Sequence, residues 1–276
     1  MNITRIAPTP NGHLHLGNIL NFIHTYRLAK TVGAKLYLRI DDHDGPRCRP
    51  EFVGEILSAL SALKIPIDYG PSSVDEFYSK FTQTKKSDFY FSKLELLGDK
   101  FTCACSRKEV FASSSLGIYS GKCRPLAIQF ENMKNVIRYS CPDIKVQFRE
   151  SSVHLREEIG DAVLWRKDGL SSYQWMSVCE DLEMKTTHFV RGEDLLSSSA
   201  IQIAIAKSLA QKFPSEDKFY HHKLVLCGKR KMSKSKGDEG VVDRLKSDPL
   251  HFLHAYCDFF EHEKVSSLEE LTNLAL

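Results

Sequence analysis

The stretch from Thr4 to Ile40 constrains the fold more than any later one. Thr4 to Ala7 reads as a short strand, and Leu16 to Val32 carries Ile19, Leu20, Ile23, Tyr26, Leu28 and Ala29 close to helical spacing. Gly33 suits a helix C-cap, and "KLYLRI", Lys35 to Ile40, alternates like a second strand. A strand–helix–strand unit favours a parallel sheet with right-handed crossovers. Between the first strand and the helix lies "PTPNGHLHLGN", Pro8 to Asn18. A glycine-containing loop that feeds a helix N-terminus is suited to anions, because unpaired N–H groups and the positive end of the helix dipole point at the ligand. His13 and His15 are candidate phosphate donors, although ordinary polar loop residues would look the same.

Further along, Phe52, Val53, Ile56, Leu57, Leu60 and Leu63 form a helical stripe that core packing fully explains, ending near Pro66. Residues 74 to 97 read as helical and aromatic. From Phe101 to about Pro142 the chain is rich in cysteine and serine with weak periodicity, and reads as an irregular insertion. Strand-like segments return at Ala162 to Arg166 and His188 to Arg191. Ser197 to Gln211 reads as a helix, and Lys223 to Cys227 as a buried strand. Across the 276 residues the net charge is only +3, so bulk charge does not argue for nucleic acid, while a local basic face stays open. No apolar run reaches membrane-spanning length, and no basic segment followed by an apolar core opens the chain. The expectation is a cytoplasmic protein whose eight cysteines are reduced thiols or metal ligands rather than a disulfide scaffold.

Three features carry candidate chemistry. Lys229, Arg230, Lys231, Lys234 and Lys236 crowd one segment with Ser233 and Ser235 among them. Such a run is commonly a solvated face or a nucleic-acid patch, but lysines there can also close over a polyphosphate and stabilise charge during phosphoryl chemistry. Arg5 and Arg191 stand at strand ends, where open α/β sheets bind ligands, and are suited to clamp carboxylates bidentately; surface salt bridges are the alternative. "CAC" at Cys103 to Cys105, followed by "YSGKC" at Tyr119 to Cys123, could supply a tetrahedral zinc site, and on spacing alone buried free cysteines fit equally well.

"HLGN" at His15 to Asn18 and "KMSKS" at Lys231 to Ser235, in this order at opposite ends of an α/β chain, resemble the two signatures of class I aminoacyl-tRNA synthetases. "RIAPTPNGHLHLGN", "LRIDDHDGPR" and "THFVRGEDLLSSSAIQ" resemble the glutamate-specific branch, and the resemblance covers most of residues 3 to 237. The C-x-C and Y-x-x-x-C pattern is similar to that of glutamyl-queuosine tRNA(Asp) synthetases, a family without anticodon-binding domains. Only about forty residues follow the lysine segment, too few for such domains.

The resemblance implies an α/β fold, a Rossmann-like parallel sheet with an inserted zinc-bearing subdomain. It divides the chain into 1–98 and 180–240 as the two catalytic halves, 99–179 as the RNA-facing insertion and 241–276 as a short helical remnant. It also implies that His15, Gly17, Asn18, Lys231, Met232, Ser233, Lys234 and Ser235 bind ATP with Mg2+, His15 and Lys234 being catalytic. L-Glutamate would lie along Arg5, Ile6, Ala7, Pro8 and Thr9 and contact Asp41, Tyr173 and Arg191. Cys103, Cys105, Tyr119 and Cys123 would hold a structural zinc. The implied reaction is activation of glutamate as its adenylate and transfer to queuosine in the anticodon loop of tRNA(Asp), by a monomer that needs no membrane.

Two positions depart from the pattern. Asp41 stands where the family has a glutamate that receives the substrate amine, so the amine must move or a water must bridge the missing CH2. Ser177 stands where full glutamyl-tRNA synthetases have an asparagine. Asp42 and Asp44 are assigned no role. Because "KMSKS" is close to the general synthetase signature, a minimal enzyme charging the terminal ribose of tRNA(Glu), or a non-tRNA acceptor, stays open. So does a silent nucleotide- or RNA-binding paralogue, although the intact lysines, His15 and both arginines argue against it.

Overall fold

The computed structural model describes residues 1–114, 117–227, 230–231 and 241–274. They form two compact units. The first comprises Met1–Gln83, Thr186–Glu193 and Tyr220–Leu276, and the second Thr84–Lys185 and Asp194–Phe219.

In the first unit the strand Asn2–Ile6 pairs in parallel with Ala34–Leu38, Ile6 opposite Leu38. The helix Leu16–Thr31 connects them, and its apolar positions Ile19, Leu20, Ile23 and Leu28 are buried. On the other side of the first strand, the Ile3 carbonyl accepts from the backbone N–H groups of Thr187 and His188 at 2.8 and 3.1 Å. This lays the chain leading to the strand Phe189–Gly192 beside it. Ile6, Leu20, Ile23, Leu38, Val53, Ile56, Leu60, Phe252 and Tyr256 share one core. The helices Val241–Ser247, Pro249–Phe260 and Leu268–Asn273 belong to this unit. Arg27, 1% exposed on the first helix, ties them in: it donates to the carbonyls of Leu271 and Leu274, each at 3.0 Å, and to the Tyr256 hydroxyl at 2.8 Å.

The second unit holds a three-stranded antiparallel sheet, Lys100–Cys103, Val136–Tyr139 and Val163–Trp165, with the middle strand central. A hairpin, Lys145–Gln147 with Ser152–His154, and the helices Ser87–Leu94, Arg107–Ser113, Tyr173–Glu183 and Leu196–Ser208 also belong to it. Trp175, fully buried, donates its indole N–H to the Tyr90 carbonyl at 2.8 Å. Glu180 accepts from Lys86 at 2.8 Å and from the Tyr90 hydroxyl at 2.5 Å.

Several expectations need correction. The segment from Phe101 to Pro142 is not irregular throughout: its two ends are strands paired with each other, Cys103 opposite Val136. Strands this short carry too few alternations to stand out, and their partners are distant in sequence. Residues 74 to 97 are not one helix. A π-type turn at Phe77–Phe81 interrupts them before Ser87–Leu94. Of Lys223 to Cys227, only Leu226–Cys227 is strand, paired antiparallel with Arg230–Lys231. Within the second unit the Leu196–Ser208 helix packs against Tyr173–Glu183, with the Gln202 side chain donating to Gln174 at 2.9 Å.

Candidate active site and metal centre

The loop from Pro8 to Leu14 is stitched to the chain that follows the second strand. The Pro8 carbonyl accepts from the Asp41 N–H at 2.9 Å and the Pro10 carbonyl from the Arg49 N–H at 3.1 Å. The Asn11 side chain donates to Asp44 at 2.7 Å. Glu55 receives the His13 imidazole at 2.6 Å and the Leu14 N–H at 3.2 Å, so His13 anchors the loop rather than facing a phosphate. Asp44, assigned no role from the sequence, is held by Asn11 and Arg47 and lies below the usual carboxylate range. Burial opposes that shift, and the Asn11 hydrogen bond outweighs it together with the Arg47 and His43 charges.

His15 precedes the first helix, and its N–H donates to the Asn18 side chain at 3.0 Å. The His15 ring folds over Gly17, where a Cβ would come within 3.1 Å of it. A side chain at 17 would therefore displace the imidazole from the helix start, where an anion would dock.

The strand-end arginines meet at one ring. Arg5 and Arg191, 3% and 4% exposed, lie with their guanidinium carbons 4.7 and 5.5 Å from the centroid of Phe189. Two buried guanidinium groups on one aromatic ring place planar, bidentate donors together in a form suited to carboxylate. His221 senses one of them: burial first, then Arg191, push its pKa down to about 4, so it is neutral near pH 7.

Asp41 is buried beside the Arg5–Thr9 strip, but not as a bare carboxylate. Arg39 grips both its oxygens, Nε to Oδ1 at 2.7 Å and Nη2 to Oδ2 at 3.0 Å, and Gln83 donates to Oδ1 at 2.8 Å. Asp42, which the sequence reading left without a role, is buried as well. It accepts from the Thr82 hydroxyl and from the Gln83 N–H, the latter at 2.7 Å. Sequence reasoning missed Arg39 and Gln83. Arg39 hides within the strand alternation of "KLYLRI", and Gln83 follows an aromatic run with no motif of its own.

Tyr173 lies in the second unit, on the first turn of the helix that Ser172 caps, with the Ser172 hydroxyl accepting from Trp175 N–H at 3.3 Å. Ser177, fully buried on the same helix, bonds Asp181 at 3.4 Å. Met232, Ser233, Lys234 and Ser235 lie outside the described residues, and Lys231 is described as backbone of a short strand.

The expected metal ligands do converge. The sulfurs of Cys103, Cys105 and Cys123 lie within 4.8 Å of one another, Cys105 and Cys123 at 3.6 Å, and the Tyr119 hydroxyl is 3.8 Å from Cys105. Tetrahedral zinc with Zn–S bonds of about 2.3 Å separates its sulfurs by about 3.8 Å, so the donor set fits. Local backbone makes this possible. Gly121, at φ +85°, turns the chain between Tyr119 and Cys123, whose N–H donates to the Tyr119 hydroxyl at 2.8 Å. At Gly160, φ +68°, a Cβ would come within 2.8 Å of Ile118, so only glycine lets the Tyr119 strand approach. Although burial opposes it, hydrogen bonds from the Tyr119 hydroxyl and the Ala104 backbone bring Cys123 down to about 7. Burial pushes Cys105 up to about 11 and raises Tyr119 far above its ordinary value. A metal ion bound here would displace the protons that these groups still carry. Cys141, raised to about 11, and Cys179 and Cys257, both also raised, owe the shift chiefly to burial and read as inert core thiols.

Beside the cluster is a groove of about 710 Å3, lined by Arg107, Lys134, Arg138, Arg166 and Lys167, with Asp168 paired to Arg166. Phe111 lies on its wall and is 61% exposed. These cations are scattered over some sixty positions of sequence, so no run announced them.

With this geometry in view, the chain was compared with known proteins. The model of tRNA synthetases class I (E and Q), catalytic domain, matches residues 2–257. The chain belongs to this family. Among curated relatives it is 32% identical to a glutamate–tRNA ligase of Sulfurihydrogenibium sp. strain YO3AOP1, over 98% of this chain and 62% of the relative. It is 33% identical to glutamate–tRNA ligase 1 of Caldicellulosiruptor saccharolyticus, over 91% of this chain and 56% of that one. The chain therefore spans about three fifths of these relatives' length. Among solved structures, a glutamate tRNA ligase from Elizabethkingia meningosepticum in complex with its amino acid superposes with TM-score 0.78 at 24% identity, over all of this chain and 64% of that one. That likeness shows the class I synthetase α/β fold. Among the described residues no helix is long and apolar enough to cross a membrane.

Proposed function

We propose that this family member activates L-glutamate with ATP and passes it to queuosine in the anticodon loop of tRNA(Asp). The observation that carries the activation step is the pair of buried arginines on Phe189, one from the strand Asn2–Ile6 and one from the strand Phe189–Gly192. Arg5 and Arg191 would fix the substrate, leaving one glutamate carboxylate to attack the α-phosphate of ATP. The new O–P bond forms as the bond to pyrophosphate breaks. The first-helix N–H groups and Lys234 would hold the phosphates, and Mg2+ would arrive with ATP.

Support for the acceptor comes from the second unit. The C-x-C and Y-x-x-x-C residues converge into a cluster that a zinc ion would fit, and the basic groove with its exposed Phe111 suits phosphates and an unstacked base. A bound zinc would be structural, held by Cys103, Cys105, Tyr119 and Cys123. Parallel incubations of labelled glutamate with queuosine-containing tRNA(Asp) and with tRNA(Glu), followed by nuclease digestion, should place the label in the anticodon fragment of tRNA(Asp). Label confined to the terminal adenosine of tRNA(Glu) would instead establish the second reading, a minimal glutamyl-tRNA synthetase, which the names of the relatives favour.

A further inference from the structure

Asp41 raises a problem for any substrate amine. A carboxylate offers about four acceptor sites, and Asp41 already spends three on Arg39 Nε, Arg39 Nη2 and Gln83 Nε2. Its charge is matched by the Arg39 guanidinium, and its side chain is one CH2 shorter than a glutamate. An ammonium group brings three N–H donors and needs more acceptors than Asp41 has left.

Gln83 supplies one. It is 2% exposed and fixed at both ends, its backbone N–H on Asp42 and its side-chain Nε2 on Asp41. Because an ionised carboxylate only accepts, the amide nitrogen must face Asp41, and the orientation of the amide is thereby settled. Gln83 Oε1 is then buried without a hydrogen-bond partner. A buried carbonyl left so is costly unless something donates to it. Asp41 is itself bonded through its N–H to Pro8, within the Arg5–Thr9 strip, so Asp41 links the Gln83 side chain to that strip.

We infer that Gln83 is a substrate-binding residue of the amino-acid site: its Oε1 accepts a hydrogen bond from the α-ammonium of the substrate, beside the remaining acceptor site of Asp41. The inference rests on the glutamate-activating reading and gives the site its amine recognition. Neither Asp41 alone nor a bridging water is then needed to span the missing CH2.

The test compares L-glutamate with glutarate, which keeps both carboxylates and lacks the amine. Calorimetric affinities for both are measured on the full chain, wild type and Gln83→Met, with thermal melting as a folding control. The wild type should prefer L-glutamate to glutarate, and in Gln83→Met that preference should shrink about 10-fold or more through weaker glutamate binding, glutarate affinity staying put. If Gln83→Met does not fold, Gln83→Asn, which withdraws the oxygen by one CH2, should show the same shrinkage. A folded Gln83→Met or Gln83→Asn with the wild-type preference would overturn the inference and leave Oε1 to a structural water. A wild type that binds no glutamate at all would overturn the glutamate reading itself, before any variant is made.

Discussion

The amino-acid site of the first unit and the cysteine cluster of the second are completed by different means. Around Asp41 the chain supplies the counter-charge itself, through a bidentate Arg39 and a buried Gln83. At Cys103, Cys105, Cys123 and Tyr119 the donors meet chiefly one another and share protons among themselves. The first arrangement is fixed by packing before any ligand arrives. The second gains its full bonding only when a cation displaces those protons. The two sites should therefore respond to different insults.

The strongest contrast is expected at the internal ion pair. Arg39→Met strands a buried carboxylate, so chemical denaturation should show a loss of about 3–5 kcal/mol. A loss below about 1 kcal/mol would mean that Asp41 is not internally compensated. Next comes Arg191→Ala, which removes one of the two cations on Phe189. It should cost about 2–5 kcal/mol of transition-state binding, read as kcat/KM for glutamate in pyrophosphate exchange. An unchanged kcat/KM would take Arg191 out of the site.

At the cluster, protein purified without added metal should contain about one zinc per chain by elemental analysis. Cys105→Ser should lower transfer to RNA by about 10-fold or more while exchange falls little. A metal-free, stably folded wild type would restore the reading of these residues as buried free thiols. The smallest effect belongs to the groove. Lys134→Gln should weaken RNA binding by the same factor for any sequence and reduce the slope of log K against log salt by about 1. An unchanged slope would place the RNA elsewhere.

The same contrast governs what could be read from the sequence. The opening strand–helix–strand unit was legible to within two residues at each element's ends, because each of its elements carries its own periodicity and the loop between them its own signature. The convergence of Cys103, Cys105, Tyr119 and Cys123 was legible through resemblance, since spacing alone allowed free cysteines. The pairing of Lys100–Cys103 with Val136–Tyr139 was not, because strand partners that far apart leave no local trace. Arg39 and Gln83 were hidden for a related reason. Their importance lies in being buried against Asp41, and burial of a polar side chain is a tertiary fact.

Under the proposed function, the amino-acid site of the first unit activates glutamate without the RNA. ATP–pyrophosphate exchange, run with each amino acid in the presence and absence of tRNA, tests it most directly. Exchange should be selective for L-glutamate and independent of tRNA. Equal exchange with aspartate or glutamine, or exchange that appears only when tRNA is added, would contradict it.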